Sequence, residues 1–197
     1  MRTIDRKKTA ERRQQILQAA LRCFKKKGFH GASMSYICKE AKMSPGHLYH
    51  YFSSKEDLIE AIVEEDRKTA NDRIKEVAET SNTLQTLIAG VHKLWQQKIG
   101  VGGALNAEIT AEATRNKRIA SIVIERNRYF RSILKAAFVA GQEKGHISTD
   151  IDPEGFASFF MGIAEGLTAL AEADPGIDIA KVTETIQLTW KKTLSPE

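Results

Sequence analysis

Apolar residues recur at intervals of three and four through most of this chain, and no stretch of any length alternates apolar with polar positions. The first rhythm lays one side of a helix against a core, whereas alternation would mark a half-exposed strand. The pattern predicts an all-α protein of about nine helices. Helix one is expected from about Thr9 to Lys27, with Ile16, Leu17, Ala20, Leu21 and Phe24 inward. Gly28 stops it, after three lysines that suit the negative end of the helix dipole. Two short helices follow. Ser33 caps one whose inner face is Met34, Ile37 and Ala41; Ser44 and Pro45 open the next, anchored by Leu48 and Phe52. Helix four starts at Ser53 or Ser54, with Ser53–Glu56 as its capping box and Ser54–Asp57 as a weaker one. It packs Leu58, Ile59, Ile62 and Val63 inward and runs to about Glu79. Residues 1–8 have no apolar rhythm and read as a disordered basic arm, with Arg2, Arg6, Lys7 and Lys8.

Past a break at Ser81 to Thr83, the stripe Leu84, Leu87, Ile88, Val91, Leu94, Trp95 and Ile99 predicts another helix, interrupted by Gly100, Gly102 and Gly103. A short helix from Leu105 to about Thr114 and a long one from Asn116 to about Lys144 come next, the latter stopped by Gly145. Asp152 with Pro153 opens a helix to about Ala173, and Asp178 caps the last, which ends near Leu194.

Composition agrees: glycine and proline are sparse, and aromatic residues make up 7% of the 197 positions. Charge adds an asymmetry. Residues 1–55 hold 13 Lys/Arg against 3 Asp/Glu, a balance of +10, and the remainder holds 17 against 22, a balance of −5. A basic front on an acidic remainder points to nucleic acid, because cations that neutralise phosphates release condensed counterions. No apolar run is expected to reach the roughly 20 residues of a membrane span. With no signal peptide, the expected location is the cytoplasm. Cys23 and Cys38 lack metal-like spacing and read as buried thiols.

The stretch from Ser33 to Lys55 concentrates the chemistry. With Leu48 and Phe52 inward, its second short helix turns His47, Tyr49, His50 and Tyr51 outward, a polar aromatic face suited to a major groove. The run resembles the helix-turn-helix of the TetR family of bacterial regulators, whose pattern is S-P-G-x-L-Y-x-x-F-x-x-K-x-x-L. This chain supplies Ser44, Pro45, Gly46, Leu48, Tyr49, Phe52, Lys55 and Leu58 in order. One departure is Lys42, where the family's turn usually carries glycine. The resemblance implies a DNA-binding domain over 10–70, with its motif at 33–52, and a helical ligand-binding and dimerisation domain over 80–197. It further implies a repressor that binds a near-palindromic double-stranded operator as a homodimer and is released by a small-molecule inducer. On that reading Gly46 lets the backbone approach DNA and His47 meets a base edge. Tyr49, His50, Tyr51 and Lys55 hold phosphates, framed by Ser33, Lys42, Ser44 and Pro45.

For the inducer, Trp95, Ile99, Leu105, Ile109, Phe130, Leu134 and Phe160 are the apolar candidates. Glu112 shares a face with Leu105 and Ile109, with Glu108 at its edge, so a partly buried acid there would select a cationic or amine-bearing ligand. A salt bridge to Arg115 or to the next helix is the plainer use of Glu112. For the dimer, Gly162, Gly166, Ala169 and Ala173 form a small-residue stripe, joined by Phe159 and Trp190, where a second helix could pack closely. An enzyme of the di-metal helical-bundle kind would need two Glu-x-x-His motifs. The chain has one, Glu143 to His146, broken by Gly145, and His47 with His50 finds no third ligand. Neither a metal, a cofactor nor a catalytic site is expected. The alternative that stays open is a non-specific or architectural DNA-binding protein.

Overall fold

The computed structural model describes residues 6–79, 86 and 103–196, with side chains for 7–68, 86 and 105–196. Among these residues there are eight helices and no strand: α1 (Arg6–Gly31), α2 (Met34–Glu40), α3 (Pro45–Tyr51), α4 (Lys55–Glu79), α5 (Gly103–Ala113), α6 (Lys117–Glu143), α7 (Pro153–Ala173) and α8 (Ile179–Leu194). The all-α expectation holds. The expected stripe from Leu84 to Ile99, with Trp95, lies outside the described residues, as does Arg2 of the basic arm.

Most helix ends follow the caps read from the sequence. Ser33 accepts from the Tyr36 N–H at 3.2 Å, Ser44 from the His47 N–H at 3.4 Å, and Asp152 from the Gly155 N–H at 2.6 Å. Asp178 accepts from the Lys181 N–H at 3.2 Å. Each satisfies a donor that the first turn leaves orphaned. Two ends differ. Helix α1 begins at Arg6, so residues 6–8 are helical rather than part of an arm. At α4 the pair expected to be weaker is the one that forms: the Asp57 N–H donates to the Ser54 hydroxyl at 3.1 Å and the Ser54 N–H returns a bond to the Asp57 carboxylate at 3.1 Å. Glu56 instead accepts from the Asn116 amide at 3.0 Å. Asp57 also takes both the N–H and the hydroxyl of Ser53 and is paired with Arg118. The Ser53 hydroxyl and the Arg118 guanidinium hold its carboxyl far below the usual carboxylate range, against a partial burial that acts the other way.

The chain divides into two compact units, one from residues up to Glu65 together with Leu105–Val123, the other from Asp66–Ala104 and Ile124–Glu197. This departs from the expected division at residues 70–80, because 105–123 belong with the N-terminal unit. The reason is packing. Leu105, Ile109, Ile119 and Val123 share one buried core with Ile16, Leu17, Ala20 and Phe24 of α1, Ile37 of α2, Leu48 of α3, and Leu58, Ile59 and Ile62 of α4. The second core joins Leu134 and Phe138 of α6, Phe156, Ala157 and Phe160 of α7, and Trp190 and Leu194 of α8, with Ile147. Each large side chain withdrawn in this way contributes about 1.5–3 kcal/mol against the entropy of ordering. By length and composition helix α7 is apolar enough to cross a membrane, with a mean hydropathy of 1.2, although Glu154, Glu165 and Glu172 interrupt its apolar run. Part of that apolar surface, Phe156, Ala157 and Phe160, is buried in the second core.

The turn between α2 and α3 is left-handed at Lys42, with φ 53°. The Met43 N–H reaches the Cys38 carbonyl at 3.0 Å and the Lys42 N–H the Lys39 carbonyl at 3.1 Å. Gly145 closes α6 with the same bond pattern and φ 68°. Glycine adopts this conformation without a Cβ penalty, whereas lysine costs about 1 kcal/mol more. Lys42→Gly is expected to raise the thermal midpoint by about 2–4 °C, measured by calorimetry; a lower midpoint would mean that the lysine makes a contact outweighing the strain.

Candidate nucleic-acid interface

Helix α3 is short, and its orientation is set by one side. Leu48 is fully buried and Phe52, its C-cap, is nearly so, with the Arg13 guanidinium 5.1 Å from the Phe52 ring centre. The Gln15 amide of α1 donates to the Ala41 carbonyl at 2.8 Å, satisfying the end of α2 and fixing the turn. What remains outside is His47, Tyr49 at 51% exposure, and His50, with Tyr51 half-buried. The Tyr51 ring lies 5.5 Å from that of His47 and 5.4 Å from that of His50, so the three form a braced aromatic face. A Cβ on Gly46 would meet no protein atom within 4 Å. Among the described residues, then, no packing contact accounts for a glycine at this position.

An open cleft of about 260 Å³ borders this face, lined by Lys8, Thr9, Arg12, His47 and Tyr51. Lys8 and Arg12 lie four apart on α1, hence on one side of it. They place two positive charges beside the outward residues of α3, the arrangement that seats a phosphate next to a base-reading helix. Sequence reasoning gave Lys8 only as part of an arm and missed Thr9 and Arg12. The available signal was the polar face of α1, which the apolar stripe had already defined.

Lys55 also has a role within the subunit. Its ammonium donates to the Phe29 carbonyl at 2.6 Å and lies 4.3 Å from the Phe29 ring centre, closing the end of α1. Gly28, with φ 70° and ψ 173°, breaks the regular course of that helix, and a single further turn follows. The break frees the Phe29 N–H, which donates to the Glu108 carboxylate of α5. Glu112, one turn on, is buried and lies 2.7 Å from the His30 ring and 2.9 Å from the Arg115 guanidinium. Burial acts to raise its pKa, but the bonds from His30 and Arg115 outweigh it and hold the carboxyl below the usual glutamate range. Thus the plainer reading of Glu112 is the one the structure has, and both acids offered for an amine are engaged by the end of α1 or by Arg115.

This arrangement can bind a polyanion. Among the described residues no group of three His, Cys, Asp or Glu could hold a metal ion. Residues 16–62 match the family model for bacterial regulatory proteins of the tetR family, and residues 104–187 that for the C-terminal part of BetI-type transcriptional repressors. The transcriptional regulator UidR of Escherichia coli K12 is 35% identical over 162 residues, 82% of each chain. The chain belongs to the TetR family. It is a transcriptional regulator and not an enzyme. Among solved structures, Salmonella enterica GusR is 34% identical, with a TM-score of 0.77 over 92% of this chain and 96% of that one. FadR from Bacillus subtilis, solved with stearoyl-CoA, is 20% identical with a TM-score of 0.76 over 90% and 96%, which shows the shared fold.

The other residues expected of a TetR-family ligand site are divided between the two units. Leu105, Glu108, Ile109 and Glu112 belong to the first unit, where the two leucine and isoleucine side chains are core. Leu134 and Phe160 are buried in the second, where Phe130 is half-buried with its ring 6.0 Å from that of Tyr129. Trp95 and Ile99 lie outside the described residues. Of the expected dimer surface, Phe159 is 53% exposed and Gly162, Gly166, Ala169 and Ala173 are exposed, with no atom of the described residues within 4 Å of a Cβ built on either glycine. Trp190 does not join them. It is buried 5.2 Å from Phe160 and 5.5 Å from Phe156, because its indole fills the second core from α8.

Proposed function

We propose that this TetR-family regulator represses transcription in the cytoplasm by binding a near-palindromic operator as a homodimer, and that a small-molecule inducer releases it. The observation that carries the DNA reading is the braced face of His47, His50 and Tyr51 beside the cleft with Lys8 and Arg12. A two-fold dimer would send two such faces into successive major grooves, roughly 34–36 Å apart. His47 reads a base edge at the open Gly46 approach. Lys8, Arg12, Tyr49, His50 and Tyr51 hold phosphates. Lys55, with one of its three donors on Phe29, has others for a phosphate at the start of α4. The exposed small-residue stripe of α7, with Phe159, is the surface for the second copy. An inducer releases DNA only if it binds the misfitting state better than the fitting one.

Footprinting and binding titrations at several salt concentrations test the reading. Arg12→Ala is expected to weaken all sequences alike and to flatten the salt dependence by about one unit, since one phosphate contact is lost. His47→Ala is expected to relax preference at one operator position by about 1–3 kcal/mol. If His47→Ala weakens every sequence equally, His47 is no base reader. If the wild-type protein leaves no discrete footprint on any sequence, the architectural alternative holds.

A further inference from the structure

Tyr51 is the half-buried member of the recognition face, and its ring touches both exposed histidines of its own helix. It is the last residue of α3, four positions after His47 and next to His50. Side chains on a helix lean back toward its N-terminus, so Tyr51 lies toward the turn that carries His47, and residues four apart are neighbours. The rings of Tyr51 and His47 stand 5.5 Å apart with 54° between their planes, and those of Tyr51 and His50 stand 5.4 Å apart at 81°. Both separations fall within the range in which aromatic rings attract, about 4.5–7 Å. From below, Tyr51 packs against the core that holds Leu48 and Phe52. From the side it lines the cleft with His47 and with Lys8, Thr9 and Arg12 of α1. The core thus sets the tyrosine ring, and the exposed imidazoles rest on it.

We propose that Tyr51 is a positioning residue for base recognition: its ring holds the His47 imidazole in the rotamer that meets a base edge, while its hydroxyl holds a phosphate. A histidine with no neighbour on an exposed face samples several staggered rotamers, and ordering it on binding costs conformational entropy. A ring pair formed in the free protein removes most of that cost before DNA arrives. The brace also prevents re-aiming. At a mismatched base pair a loose imidazole could turn to another partner, whereas a held one leaves a desolvated polar group unpaired. The ring therefore acts on discrimination at one base pair, and the hydroxyl acts on affinity for every sequence.

The proposal rests on the operator reading above, and its experiment separates the two. Full-length wild-type, Tyr51→Phe, Tyr51→Leu and His47→Ala proteins are titrated with the footprinted operator and with operators changed at single positions. Thermal midpoints are recorded beside the titrations. The position that His47 reads is the one whose preference His47→Ala relaxes. Tyr51→Phe keeps the ring and is expected to bind every sequence more weakly, with the preference at that position within about twofold of the wild type. Tyr51→Leu keeps an apolar stem on the core but no ring. It is expected to cut that preference by about 3- to 10-fold while preferences elsewhere hold. Added to His47→Ala, it should cut that preference no further, since both changes act on one contact. A ring that only fills the core would lower the thermal midpoint and weaken all sequences alike. That outcome for Tyr51→Leu overturns the proposal, as does a Tyr51→Phe protein that loses the preference. If Tyr51→Leu does not fold, nuclear Overhauser contacts between the ring protons of His47 and Tyr51 in the wild-type operator complex decide the matter. Ring contacts kept on DNA are expected, and their absence overturns the proposal. A wild-type protein without a discrete footprint, or a His47→Ala protein weakened equally on every sequence, strikes the operator reading itself and the brace with it.

Discussion

Gly166→Leu is expected to convert the protein to monomers and to lower its affinity for the operator by at least about 100-fold, because losing one half-site forfeits several base contacts of about 1–3 kcal/mol each. The substitution adds bulk to the middle of the exposed stripe on α7, between Gly162 and Ala169. Among the described residues no atom lies within 4 Å of a Cβ built there. It also replaces a poor helix former with a good one, worth about 1 kcal/mol in a helix interior. Helical content and the stability of the isolated subunit should therefore hold or rise while assembly fails. Sedimentation beside circular dichroism and operator titration reads all three quantities. A Gly166→Leu protein that stays dimeric and still protects a palindromic site would place the subunit interface elsewhere.

The second large effect concerns the end of α1. Gly28→Ala is expected to destabilise the first unit by at least about 2 kcal/mol, for two reasons that act together. Its φ of 70° with ψ of 173° is a region that residues with a Cβ occupy at a cost of about 1–3 kcal/mol. A Cβ built on it would also stand 2.7 Å from both carboxylate oxygens of Glu108. At about 2–4 °C per kcal/mol for a chain of this size, the thermal midpoint should fall by at least about 4 °C. Glu108→Ala alone removes the acceptor of the Phe29 N–H, at about 1–3 kcal/mol for a buried donor. In the double variant the collision is gone, so the two losses should sum to less than their separate values, and the remainder measures the backbone term. A Gly28→Ala midpoint within 1 °C of the wild type, on the same per-degree scale, would show that the turn relaxes and that neither effect operates.

Where local chemistry decides, the sequence was readable. Ser33, Ser44, Asp152 and Asp178 each carry the side-chain oxygen that an orphaned N–H requires, and each caps the helix expected of it. The family resemblance marked Lys42 as standing where the turn usually carries glycine, and its backbone is left-handed. The recognition face followed from Leu48 and Phe52, because two residues four apart that must be buried fix which side of a seven-residue helix is outward. Even the competition at α4 was visible as two candidate boxes, but choosing between them needed Arg118 and Asn116. These arrive from about 60 residues away and draw Asp57 and Glu56 into different bonds.

What the sequence by itself determined is the helical periodicity, the capped ends and the DNA-binding motif, since all three depend on neighbours within about four positions. Only the tertiary structure decided how apolar stripes are shared out. Leu105 and Ile109 face inward on any helical wheel, yet a wheel does not say which core they enter, and they enter that of the DNA-binding unit. Glu108 and Glu112 go with them and meet the Phe29 N–H and His30, partners made available by a break at Gly28 some 80 positions earlier. Trp190 is apolar enough for an interface and is core, because Phe156 and Phe160 leave a space its indole fills. Arg126 reads in sequence as one more charge on a long helix. Its burial comes from elements brought together by the fold.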